Sequence, residues 1–134
     1  MSQIEIVILT RFKALLTDFL DELLNWMPSD EELITTRILV DTQLPMETVI
    51  EKFAEHLLPL KDQIKKRDET FFLDDPKVFG AVKDKSRILS LKNLWLNPEF
   101  TDVDKKNAWK WMDSFIECVS LYKQYQKKRL NSSN

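Results

Sequence analysis

Apolar positions recur along this chain three or four residues apart, and the polar positions between them follow the same period. Ile8, Phe12, Leu15, Leu16, Phe19, Leu23 and Trp26 form one wide stripe, with Asp18, Asp21 and Glu22 on the other side. Ser2-Gln3-Ile4-Glu5 reads as a capping box ahead of that stripe and Pro28 ends it, so the spacing predicts a helix over 3–26. Ser29-Asp30-Glu31-Glu32 is a second box, with its acids where a helix dipole favours them. It predicts a helix over 30–43, although the β-branched run Ile34, Thr35, Thr36, Ile38 and Val40 also suits a strand. Pro45 fits a first helical position. Met46, Val49, Ile50, Phe53, Ala54, Leu57 and Leu58 then make a third stripe, backed by Glu47, Glu51 and Glu55. Pro59 has no amide hydrogen to donate and clashes with the carbonyl four residues back, which predicts a kink or break before Leu60 and Ile64 resume the pattern to Lys66.

Residues 68–86 are the least regular part, with a turn signal at Asp74-Asp75-Pro76 and the end of a short helical turn at Gly80. Ile88, Leu91, Leu94 and Trp95 predict a helix over 84–96, closed by Asn97-Pro98. Thr101 to Asp104 opens a last helix over 102–126, in which Trp111, Phe115, Cys118, Tyr122 and Tyr125 share a side; 127–134 is expected as a frayed tail. The fold expected is all-α: a compact single-domain bundle over 1–134 of roughly five to seven helices, its third helix broken at a proline.

Composition narrows the function. With 43% apolar residues in a chain of 134, there is enough material for a real core. Gly80 is the sole glycine, which argues against tight hairpins and phosphate-cradling loops. Cys118 is the sole cysteine, which leaves no internal disulfide or cysteine zinc cluster and suits a reducing compartment. No apolar run approaches the ~18 residues of a membrane span, and Ile6 to Leu9 lacks a basic leader, so no membrane partner or signal peptide is expected and the location expected is cytoplasmic or nuclear. Net charge is −2, but residues 1–60 hold 11 acids and 4 bases while 61–134 hold 11 acids and 16 bases. An acidic half is thus joined to a basic one.

His56 is the sole histidine, so a Ser-His-Asp site must use it, and it has no imidazole or thiolate partner at metal-ligand spacing. Its ordinary reading is a half-exposed helix residue beside Glu55. The pairs Glu51/Glu55 and Asp18/Glu22 lie on polar helix faces and read as solvated surface before they read as paired acids. Cys118 lies on an apolar stripe, as a buried inert thiol does. No catalytic residue, cofactor, metal or small-molecule substrate is indicated, and the chain is not expected to be an enzyme.

Two sets of residues suggest contact instead. Phe71 and Phe72 precede Asp74 and Asp75, an arrangement that either docks a loop or presents an anchor. Trp109 and Trp111 are two apart and so point to different sides of one helix, so that one of them is expected either as a semi-exposed anchor for a partner or as a ring covered by a lysine or a loop. These four are the candidate protein-binding residues. Lys65, Lys66, Arg67, Lys127, Lys128 and Arg129 are the candidate nucleic-acid residues, provided they converge on one face.

The segments LPLKDQIKKRDETFFL (58–73), LKNLW (91–95) and KKNAWKWMDSFIECVSLY (105–122) resemble a group of small uncharacterised proteins of large eukaryotic DNA viruses, of the mimivirus and algal-virus kind. The resemblance covers roughly the C-terminal two-thirds and rests on the Lys-Arg-Asp-Glu-x-Phe-Phe run and the tryptophan-bearing last helix. It implies a viral protein made in a host cell and carries no activity or site residues. The function expected is a non-enzymatic interaction protein that binds a virion protein, a host protein or itself; nucleic-acid binding is the alternative.

Overall fold

The computed structural model describes residues 2–69 and 85–132, which are helical with short turns and contain no strand. Helix α1 spans Gln3–Trp26, α2 Glu31–Thr42, α3 Met46–Leu57, α4 Lys61–Lys65, α5 Lys85–Leu96 and α6 Asp102–Ser132. The irregular stretch expected between the fourth and fifth helices, with Phe71, Phe72, Asp74, Asp75 and Gly80, falls largely outside the described residues.

The start signals are used, with changes. The Ser2 hydroxyl accepts from the Glu5 amide at 3.2 Å, but the Glu5 side chain does not complete the box. It is buried, and Arg129 Nη1 donates to it at 3.5 Å across the bundle. At α2 the cap is Asp30, which accepts from the Leu33 amide at 3.1 Å, so the helix starts one residue later than the Ser29 box predicts. Pro45 is itself the N-cap of α3, one position before the expected site. Thr101 and Asp104 form a reciprocal box at α6: Asp104 Oδ2 accepts from the Thr101 amide at 2.8 Å, and the Thr101 hydroxyl accepts from the Asp104 amide at 3.4 Å.

Pro59 breaks the third helix as expected. The chain passes through a 3-10 turn, Leu58–Leu60, and restarts as α4. Just past that short helix and its Lys66 C-cap, Arg67 holds a left-handed φ of 57°. The Asp68 amide donates to the Gln63 carbonyl and the Arg67 amide to the Ile64 carbonyl, the Schellman pattern that glycine usually supplies. A side chain there costs about 1 kcal/mol. Arg67 offsets that cost with a fork onto Asp113, of which Nη1 to Oδ1 is 2.8 Å, and with its guanidinium lying 5.7 Å from the centre of the Trp109 ring. This pair pushes the Asp113 carboxyl below its ordinary range.

The last helix continues to Ser132, past the end expected at 126. The tail from 127 to 132 is helical because α1 runs antiparallel beside it: the Ser2 and Tyr125 hydroxyls bond, and Arg129 reaches Glu5. At a 1.5 Å rise per residue α6 is about 46 Å long, and it is the strut on which the bundle is hung.

Two clusters flank α6. The first gathers Leu9, Phe12, Leu16 and Leu20 of α1, Val40 of α2, Ile50 and Ala54 of α3, and Phe115, Cys118, Val119 and Tyr122 of α6. Phe12 is fully buried and meets Phe53 and Phe115 edge-on, at 5.2 and 6.0 Å between ring centres. Leu9 and Leu20, absent from the expected stripe, lie deeper than Ile8 and Leu15 because the stripe turns toward α6 and α2 together. The second cluster joins Leu60, Ile64, Trp95, Trp109 and Ile116.

Candidate functional site

Between the two clusters lies an apolar cleft of about 450 Å3. Among the described residues five helices wall it, α4 through Ile64. Alpha-helix α1 contributes Phe19, Glu22, Leu23 and Trp26, and α3 contributes Lys52, Phe53, His56 and Leu57. Leu91, Leu94 and Trp95 of α5 face them, while Asp104, Ala108, Trp111, Met112 and Phe115 of α6 form the back. The volume falls within the range of ~300–1,000 Å3 typical of ligand sites. It is roughly three times the ~150 Å3 cavity that takes up benzene, which is room for two or three large apolar side chains.

The aromatic walls are held by one another and by carboxylates. Trp26 and Phe100 stand 5.1 Å apart, Phe100 and Trp95 5.7 Å, Trp95 and Trp109 5.5 Å, and Phe19 and Trp111 5.7 Å. An indole N–H that leaves water needs an acceptor. Trp111 donates to Glu22 on α1. Trp95 donates to Glu69 at 2.6 Å, and Lys105 donates to the same carboxylate at 3.0 Å while lying over the Trp95 ring. The indole first, and then the lysine, hold the Glu69 carboxyl below its ordinary range. Small Ala108 on α6 leaves the space that a larger side chain would fill.

Trp109 and Trp111 do point to different sides of α6, yet neither side is solvent. Trp109 is buried in the second cluster, and Trp111 is half-buried against the first. Of the pair, Trp111 is the partly exposed ring and Trp109 is covered, because the strut is packed on both flanks. Trp111 still lines the cleft. Phe71 and Phe72 lie outside the described residues.

The basic candidates form two separate sets. Lys65 and Lys66 are exposed at the end of α4, and Arg67 is committed to Asp113. Lys127 and Lys128 are exposed on α6, and Arg129 pairs with Glu5. Lys127 follows Asp113 by 14 residues on one helix, so the sets are about 21 Å apart along its axis. The fold does not bring the six together.

The other candidates also have places. His56 is half-buried on the cleft wall. Glu51 is not simply solvated: it accepts from Lys123 at 2.5 Å and Gln126 at 2.6 Å, tying α3 to α6, and chiefly the lysine holds its carboxyl below the ordinary range. Cys118 is buried, and burial pushes its thiol pKa up, which keeps it protonated and unreactive. Among the described residues no group of three or more His, Cys, Asp or Glu is placed to hold a metal ion, and no helix is long and apolar enough to cross a membrane.

Sequence reasoning missed most of the cleft. The spacing places Glu22 on the polar side of α1, yet it lies on the flank of the stripe, half-buried. A usable signal was there: four tryptophans in one chain need acceptors, and Glu22 is one turn from both Phe19 and Trp26. No protein-family model, curated protein or solved structure matches the chain.

Proposed function

We propose that the protein is a non-enzymatic interaction module, and that its cleft receives apolar side chains presented by a protein partner. The observation that carries this reading is the predominantly aromatic and aliphatic lining, in which, among the described residues, the charged groups are Glu22, Lys52 and Asp104, with Glu22 accepting from Trp111 and Asp104 from Thr101. An active site needs polar groups converging on one point where a reacting atom can sit. Here the walls converge on apolar space, the arrangement used by grooves that seat an amphipathic segment. If the viral resemblance reflects origin, the partner is a virion or host protein.

The test is affinity purification of the tagged wild type beside two cleft variants, Ala108→Trp and Leu94→Gln, each with and without nuclease. Circular dichroism and thermal melting establish that the variants fold. A partner recovered by the wild type, lost in both variants and insensitive to nuclease supports the reading. An unchanged partner set in the folded variants removes the cleft from the interaction. Loss of the partner on nuclease treatment would favour nucleic acid instead.

A further inference from the structure

We infer that the element seated in the cleft is a basic amphipathic helix, with its apolar face on the aromatic walls and its lysines or arginines against acids at the lip. This rests on the cleft being the partner's receptor. The charge pattern carries it. Several acids of the bundle are matched by cations: Asp21 and Asp41 by Arg37, Glu51 by Lys123, Asp113 by Arg67, Glu69 by Lys105 and Glu117 by Arg11. The acids among the cleft's described lining residues, Glu22 and Asp104, are not. Among the described residues Glu22 meets only the Trp111 indole, and Asp104 meets Thr101. Asp18, one turn before Glu22 on the same side of α1, is exposed. Among the described residues none of these three has a cation within salt-bridge distance. Lys52, the lysine that lines the cleft, lies 3.9 Å from Glu55, which offsets it. His56 is the other basic group there. The lip therefore keeps an uncompensated negative charge beside an apolar floor, and a cationic helix flank complements it.

Backbone chemistry selects a helix over an extended segment. The described residues contain no strand, hence no sheet edge to which an extended peptide could add its own hydrogen bonds. A helix satisfies its backbone internally and presents side chains at positions i, i+3 and i+4 to a groove walled by helices.

The experiment uses three synthetic amphipathic peptides with an identical apolar face of leucine, isoleucine and phenylalanine, flanked by lysine, glutamine or glutamate. Binding is read from the protein's own fluorescence, since Trp26, Trp95 and Trp111 line the cleft. The lysine peptide is expected to bind about tenfold more tightly than the glutamine peptide, the effect of two or three exposed ion pairs, and the glutamate peptide most weakly. That advantage should shrink as salt shortens the screening length. It should also shrink in the double variant Asp18→Asn, Glu22→Gln, in which the amide oxygen at 22 still accepts from Trp111. Equal binding of the lysine and glutamine peptides overturns the inference and leaves the cleft intact as a receptor. Undiminished binding of the lysine peptide to Ala108→Trp overturns it too, by showing attraction to the acidic surface at large. If no peptide binds, whatever its flank, the reading of the cleft as a receptor falls with it.

Discussion

The two clusters on either side of α6 are built from different materials and hold together by different physics. The first is a jigsaw of leucine, isoleucine, valine and phenylalanine, closed around a Phe12 ring with no exposed surface. The second is smaller and rich in tryptophan, and its rings are tied down by Glu69, Lys105 and the Arg67–Asp113 fork. Apolar rings packed at interior density need no polar help. Indoles beside an open cleft do, because each N–H must find an acceptor when it leaves water. The comparison teaches where this protein can move: global stability resides in the first cluster, and the shape of the cleft depends on the polar ties of the second.

The largest effect should therefore come from the first cluster. Phe12→Ala removes a ring fixed by Phe53 and Phe115 in a site with no room to collapse, and should cost about 3–5 kcal/mol in denaturant unfolding. Leu94→Ala on the cleft wall removes a side chain that is already half exposed, and should cost below about 1 kcal/mol. Equal losses would mean that the two regions do not differ in the way described.

Arg67 sharpens the contrast within the second region. Arg67→Ala loses the fork to Asp113 and keeps a side chain in the left-handed conformation, so it should cost about 1–2 kcal/mol. Arg67→Gly loses the same fork but relieves the backbone, and should be the more stable of the two by roughly 1 kcal/mol. If the glycine variant is the weaker, the backbone conformation contributes little at this site.

Acid should act on the ties before it acts on the jigsaw. Glu69 and Asp113 have folded-state pKa values lowered by their partners, as does Glu51 between α3 and α6. A lowered carboxylate stabilises the fold above its unfolded pKa, and that stability is lost as pH falls through the folded value. Denaturant midpoints should hold from neutral pH down to the usual carboxylate range and decline below it. The triple variant Glu51→Gln, Glu69→Gln, Asp113→Asn should start lower and flatten that decline. A wild-type midpoint that stays constant through this acid range would show the ties to be energetically idle.

The same contrast explains how much of the molecule was legible in the sequence. The helices of the first cluster follow local rules: stripes such as Phe12-Leu15-Leu16-Phe19, the Ser2 and Thr101 caps and the Pro59 break each act within a turn or two of chain. The cleft does not follow such rules. Glu22 and Trp111 are 89 residues apart, and Glu69 and Trp95 are 26 apart; no local pattern pairs them. The length of α6 was hidden for a similar reason. Lys127, Lys128 and Arg129 read as a solvated end, and only the antiparallel neighbour α1, through Glu5, makes the last turns of helix worth forming.

The smallest effect compares the two indole ties directly. Trp95→Phe removes one donor from Glu69, but Lys105 remains on the same carboxylate, so the loss should be about 0.5 kcal/mol beyond the change in ring size. Trp111→Phe leaves the half-buried Glu22 without its donor and with no cation beside it among the described residues, so the corresponding loss should be about 1 kcal/mol. Replacing Glu22 by glutamine in the Trp111→Phe background removes the stranded charge and should recover part of that loss. In the wild-type background Glu22→Gln should be close to neutral, because its amide oxygen still accepts. A double-mutant cycle with no coupling between positions 22 and 111 would show that the carboxylate serves only the charge of the lip, and that Trp111 is held by packing on Phe19 and Phe115.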